Sequence, residues 1–228
     1  MFLILFKIYK IKEFIMKKAA LFLLVTAIAT GFYTAVAQDL TDRYLLELKE
    51  ASAKDYVQLM YEGSQESKLL AAIKLGEMGT AEEEVIDALV YGLGQGTFFV
   101  VRQYGKVSND YWDVRAASAK ALGIIGDPAP LYNLYYTLRY DPDKFVRGSA
   151  AYAIGKIGQK ESVYYLKRTI QTSSTVGQDD DLILACIEAL GDIGDHSGFS
   201  PLVEVLRGKY RRSVKLAAME AIRKLNWE

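Results

Sequence analysis

Apolar residues recur along this chain at spacings of three and four, and the recurrence is itself repeated. Residues 114–127 read VRAASAKALGIIGD, and residues 146–158 read VRGSAAYAIGKIG. Aligned on Val-Arg at the front and Gly-x-x-Gly at the back, five copies appear, with the first glycine position at Gly76, Gly123, Gly155, Gly191 and Arg223. The intervals are 47, 32, 36 and 32 residues. A period in the thirties marks a solenoid of stacked helical units.

The columns have a physical reading. Just before the first glycine stand Leu75, Leu122, Ile154, Leu190 and Ile222, and three residues further on Met78, Ile125, Ile157, Ile193 and Leu225. Four residues ahead of the Leu/Ile column come Ala71, Ser118, Ala150, Cys186 and Ala218. These spacings put all three columns on one helical face, and the small column lets neighbouring helices approach closely. Cys186 in that column packs as a compact hydrophobe. The second glycine column, Gly79, Gly126, Gly158, Gly194 and Asn226, holds residues that accept the left-handed conformation ending a helix. Amphipathic stretches at 53–61, 82–93, 129–140, 161–171 and 199–207 alternate with these segments, several opening with the acids or Pro favoured in a first turn. Each unit is therefore a first helix, a turn and a Val-Arg helix. Residues 39–50, DLTDRYLLELKE, predict one more amphipathic helix as an N-terminal cap. Arg223 and Asn226 in place of glycines, with Lys209, Arg211, Arg212 and Lys224 nearby, mark the last copy as the water-facing end.

Over about residues 53–225 this pattern resembles HEAT repeats, particularly the short HEAT-like repeats of phycobilisome lyases. The resemblance implies an all-α fold, a right-handed α-α superhelix of about five helical hairpins plus the capping helix. It also implies a ladder between repeats, in which an Asp in the turn meets an Arg early in the second helix. Asp141 and Arg147 match that pair. Arg115 matches the basic position with Asn109 six residues before it, Lys68 and Lys215 keep only the charge, and Ile183 loses it. A Lys lacks the planar fork of an Arg, so the ladder is expected to be continuous only around the middle repeats. The second helices would line the concave surface. Their water-facing columns are then Ile73, Lys120, Tyr152, Glu188 and Glu220, followed by Glu77, Ile124, Lys156, Asp192 and Lys224. Two readings of this face stand open: a solvated surface of ordinary charge pairs, or a shallow protein-binding groove.

The irregular intervals come from insertions at 94–109 and 172–180, both inside the turn of a repeat and so expected on one edge of the solenoid. The first holds Phe98, Phe99, Val100, Val101 and Tyr104 between glycines, a strand-type run that predicts a small hairpin. Its two Phe either tuck against the solenoid or form an exposed patch of the kind that marks an interface. The second is polar and expected to be mobile. Its Asp179, Asp180 and Asp181 read as the acidic start of a helix, because they lack the alternating ligand spacing of a calcium loop. The 16 tyrosines cluster on the first helices, at Tyr132, Tyr135, Tyr136, Tyr164 and Tyr165, and some of their hydroxyls must reach the surface.

Composition adds an address and some exclusions. Residues 16–37, MKKAALFLLVTAIATGFYTAVA, have the charged start, apolar run and small-x-small end of a secretory signal, with cleavage expected after Ala37. Two domains follow: an N-terminal extension and signal over 1–37, and a single repeat domain over 38–228. Residues 38–228 carry 23 basic and 27 acidic residues, a formal charge of −4 and the wrong sign for a nucleic-acid binder. One cysteine forms no internal disulfide, and one histidine, His196, cannot build the His-Glu pairs of di-iron HEAT-like hydroxylases. No catalytic pairing is evident. The expected protein is thus an exported, periplasmic or secreted, monomeric and non-enzymatic scaffold. It would bind a protein partner through its concave face, the two enlarged loops, or both. Phe98, Phe99, Tyr104, Lys120, Tyr152, Lys156 and Glu188 are the contact candidates, with no cofactor, metal, nucleic acid or stable membrane span. The alternative is a HEAT-like enzyme such as a lyase, with no catalytic constellation visible.

Overall fold

Ten α-helices in five successive pairs make up most of the unit Ser52–Glu228, the larger of the two compact units into which the chain divides. The computed structural model describes residues 51–175 and 177–227. The expected signal and capping helix lie outside the described residues. The first helices are α1 (Ala53–Glu62), α3 (Glu83–Leu93), α5 (Leu131–Tyr140), α7 (Val163–Thr172) and α9 (Phe199–Arg207). Their partners are α2 (Gln65–Met78), α4 (Trp112–Ile125), α6 (Lys144–Ile157), α8 (Asp180–Ile193) and α10 (Arg212–Lys224). Two short strands, β1 (Arg102–Gln103) and β2 (Lys106–Val107), make a hairpin between α3 and α4. The molecule is an all-α superhelix of two helical layers, as the repeat predicts.

The helices start and stop for local reasons. Ser64 and Asp143 accept backbone N–H bonds at the openings of α2 and α6. The stop glycines Gly79, Gly126, Gly158 and Gly194 all have φ between 65° and 77°, and each donates its N–H to the carbonyl four residues back. Asn226 departs from that column. The chain after α10 leaves in extended form at Leu225, and the Asn226 N–H donates to the Gly194 carbonyl at 2.7 Å. The last repeat is thereby tied to the stop of the one before it.

Packing between second helices rests on a column whose role the sequence left open. A Cβ on Gly123 would lie 2.6 Å from Ala153 Cα, and one on Gly155 would lie 2.6 Å from Ala189 Cα. The first glycine of each repeat thus receives an alanine of the next second helix, backbone against side-chain methyl. In the predicted small column, Ser118 sits against Gly92 of α3, so there it eases contact within a repeat. Glycine inside a helix costs about 1 kcal/mol in propensity, which the close packing must offset.

Leu75, Leu122, Ile154 and Leu190 are fully buried between the layers, opposite Met60, Leu89, Leu134 and Leu166 of the first helices. Each such side chain contributes about 1.5–3 kcal/mol. Successive second helices touch along their length, whereas α5 meets α3 and α7 at few points. The second helices thus form the more tightly packed layer. No helix among the described residues is long and apolar enough to cross a membrane.

Candidate functional site

Three surfaces hold the residues singled out by the sequence, and the turn edge orders the other two. Arg115 is fully buried there. Its Nε donates to Asp141 Oδ2 at 2.8 Å and its Nη2 to Asp141 Oδ1 at 3.2 Å, a forked pair across to the next repeat. Its Nη1 donates to Asp110 Oδ1 at 2.6 Å and the Gln95 carbonyl at 2.9 Å. Burial works against the guanidinium charge, but the bonds to Asp141 and Asp110 outweigh it and raise its pKa. Asp110, one residue beyond Asn109, is thus the acid of this turn. Asn109 instead braces the inserted loop, accepting from Val101 N–H at 2.8 Å and donating to the Phe99 carbonyl at 2.6 Å.

The pairing implied for Arg147 needs correcting. Asp141 is taken by Arg115, and the Arg147 Nε donates to the Leu138 carbonyl at 2.8 Å in the last turn of α5. Lys68 does the same for α1, donating to the carbonyls of Met60 at 2.6 Å and Tyr61 at 2.8 Å. Burial holds the Lys68 ammonium down at about 8. The basic column therefore caps the carbonyl end of the preceding helix, where unpaired C=O groups and the helix dipole favour a cation.

Continuity along this edge also exceeds the expectation. Gln65 donates to both carboxylate oxygens of Asp113 at 2.8 and 2.9 Å, joining the first two turns. Arg115–Asp141 joins the second to the third. Lys144 pairs with Asp179 at 2.5 Å and donates to the Gln178 carbonyl at 3.1 Å, joining the third to the fourth. Arg211 and Asp180, 3.3 Å apart, complete the run. The chemistry changes at each rung while the position stays, which explains why one residue pattern found only the middle. The second loop, expected to be mobile, is pinned by these contacts and by Ser174 N–H on Asp179 at 2.7 Å. Bonds from Lys144 and the Ser174 N–H hold the Asp179 carboxyl below its usual range. Both inserted loops belong to this edge.

On the second-helix face Tyr152, Lys156 and Glu188 line one groove of about 360 Å³ with Asp192, Glu220 and Lys224. Ala185, Ala189, Ala217 and Ala221 also line it. Asp192 bridges its two neighbours, accepting from Lys156 at 3.0 Å and Lys224 at 3.1 Å. Burial pushes the Asp192 carboxyl up, but the two ammonium groups outweigh it and hold the pKa down. The Lys156 ammonium also lies 5.5 Å from the Tyr152 ring centre. Lys120 does not line this groove; it is exposed on α4, 5.0 Å above the Phe145 ring.

The remaining candidates belong to the 94–109 loop. Phe99 packs on Tyr91 with ring centres 5.1 Å apart, and Phe98 packs on Tyr136 at 4.6 Å. Both keep an outer face in water, with 38% and 43% of Phe98 and Phe99 exposed, so tucking and presentation coexist. Tyr61 and Tyr140 extend the ring contacts on either side, at 4.9 and 4.7 Å. Tyr104 stands fully exposed at the hairpin tip with φ 51°, beside Gly105 at 79°. Consecutive left-handed residues are what a tight two-residue hairpin turn requires. Tyr61 and Tyr91 of this strip went unnoticed in sequence because lone tyrosines on two separate helices show no local pattern.

The described residues hold no group of His, Cys, Asp and Glu able to bind a metal ion. Cys186 is buried and its thiol is pushed up to about 12 by that burial, while the His196 side chain is 76% exposed. A family model of HEAT repeats matches residues 106–177 and 137–223, together more than half of the chain. The chain belongs to the HEAT-repeat family. Curated protein sequences provide no match. Among solved structures, this HEAT-repeat chain is similar to the complex of CpcE and CpcF of phycocyanin lyase from Nostoc sp. PCC7120. The TM-score is 0.61 at 22% identity, covering 78% of this chain and 66% of that one. At that identity the likeness concerns the fold, and this chain spans just under two thirds of the length of its match. It nevertheless overturns the expectation of a non-enzyme, because the matched HEAT-repeat architecture is part of a lyase.

Proposed function

We propose that this chain is a protein-binding subunit of a lyase-type enzyme, holding a segment of a partner protein along its second-helix face. The observation that carries this reading is the groove between α6, α8 and α10. Methyl groups of four alanines let another chain approach closely, and Lys156, Glu188, Asp192, Glu220 and Lys224 offer charges of both signs to set its register. The fold likeness to a two-chain lyase complex supports the second half of the proposal. The 94–109 loop, with Phe98, Phe99 and Tyr104, would add a second contact from the turn edge. We further propose that the protein acts after export, as a mature form beginning at Gln38, on the strength of the signal-like pattern in residues 16–37.

A photo-crosslinking side chain at Tyr152, compared with one at Tyr132 on the first-helix face, tests the groove. A single crosslinked protein from Tyr152 and none from Tyr132 is the expected result. Equal yields from both faces would remove the groove reading. The intact mass of the captured partner, with and without this chain, tests the lyase half: a covalent group gained or lost supports it, and an unchanged mass counts against it.

A further inference from the structure

The first-helix face carries a feature that the groove reading does not use. A crevice of about 50 Å³ between α5 and α7 is lined by Arg139, Arg147 and Arg168, and no carboxylate lines it. We propose that this crevice is a binding site for a phosphoryl group, either the free ion or the end of a phosphate ester.

The argument starts from charge. Elsewhere Arg115, Lys144, Lys156 and Arg211 each pair with a carboxylate, and the buried Lys68 with two carbonyls. The three crevice arginines have no ion-pair partner among the described residues. Arg147 commits its Nε to the Leu138 carbonyl and leaves its other two nitrogens unassigned. Arg139 lies 5.2 Å from the Tyr140 ring centre. Asp179, a carboxylate that feels the Arg147 charge, is already engaged by Lys144. Three like charges around one small space repel one another, and residues 38–228 are acidic overall, so nothing in the composition forces such a cluster.

An oxyanion relieves that repulsion. Guanidinium groups stay charged and present planar forks of N–H donors that match phosphate oxygens. The crevice has more room than the roughly 10–15 Å³ that one water needs by the same measure, which suits a small tetrahedral head. The hydroxyls of Thr169 and Thr172 are spent on the carbonyls of Tyr165 at 3.0 Å and Arg168 at 2.9 Å, so recognition falls to the arginines. Tyr135 and Tyr165, stacked with ring centres 3.8 Å apart, brace α5 against α7 and keep the walls in place. The site shares no lining residue with the groove and stands independently of the proposed function.

Calorimetric titration of the full chain with inorganic phosphate and with O-phosphoserine, against chloride at matched ionic strength, provides the test. Both phosphate probes should bind and chloride should not. Arg168→Gln, an exposed position with no side-chain bond to lose, should weaken binding about tenfold or more with unchanged helicity. Arg139→Gln should do the same, and Arg207→Gln on α9 should change nothing. Tighter binding of O-phosphoserine would assign the site to a phosphorylated side chain, and tighter binding of the inorganic ion would assign it to free phosphate. Heats indistinguishable from chloride, or an Arg168→Gln affinity equal to that of the parent, would overturn the proposal.

Discussion

The two helical layers obey different rules. In the second-helix layer each glycine receives an alanine methyl from its neighbour, and the residue type at that contact hardly varies from repeat to repeat. In the first-helix layer neighbours meet through aromatic rings at two places, Tyr61 tilted on Tyr91 at 4.9 Å and Tyr135 stacked on Tyr165 at 3.8 Å, and no position repeats strictly. A backbone approach tolerates no added atom, so it imposes a residue. Ring contacts tolerate many geometries, so they impose only a class. The second-helix layer is therefore written as a motif, while the first-helix layer is free to carry tyrosines and arginines.

The largest effect should come from the buried fork that joins the repeats along the turn edge. Arg115→Met leaves Asp141 buried without its cation and should cost about 3–5 kcal/mol in a denaturant midpoint, or prevent folding. Arg147→Met loses one bond to a carbonyl and should cost about 1 kcal/mol. Equal losses at the two arginines would contradict the pairing described above.

Next in size is the seam itself. Gly155→Ala gains helix propensity but drives a methyl into Ala189, and the net cost should be about 1–3 kcal/mol by chemical denaturation. A neutral or stabilising result would show that the second helices can slide apart freely. That would erase the contrast between the layers.

A smaller effect tests the junction between layers through pH. Lys68 titrates at about 8 in the folded chain and near 10.4 when unfolded. Between those values the unfolded chain holds the additional proton, so raising the pH from 8 to 10 favours the folded state by about 2 kcal/mol. Below about pH 7 both forms are protonated and the contribution stays constant. Lys68→Met should flatten that part of a stability–pH curve. Measurement should stop at pH 10, because Tyr61, whose pKa is raised by burial, begins to act in the opposite sense above it.

The smallest effect belongs to the outer rings. Phe98→Ala with Phe99→Ala removes one ring contact to Tyr136 and one to Tyr91, each about 0.5–1.5 kcal/mol beyond area burial. Both residues are already partly in water, so melting should shift only slightly while helicity is unchanged. A loss as large as that of Arg115→Met would mean that the loop is part of the core.

The sequence made the helix pairs legible because their signals are local. The stop glycines, the apolar spacing and the stretches ending at Leu93, Tyr140 and Arg207 all correspond to observed elements. The ladder was only partly legible. Asp141 and Arg115 stand 26 residues apart in different repeats, and the motif offered Arg147 as the nearer partner. The rungs made by Gln65–Asp113 and Lys144–Asp179 use residue types that no repeat consensus would align. The groove was legible as columns on a face. Its enclosure by three helices and the Asp192 bridge depend on spacings between elements.

Sequence alone determined that this chain is a stack of helical hairpins, where each helix ends, and which face of each is apolar, since those properties arise within a few residues of backbone. Only the tertiary structure decided which glycine meets which alanine, which acid each buried base engages, and that three arginines share one crevice. Those are distances between chain segments far apart in sequence, and local spacing carries no record of them.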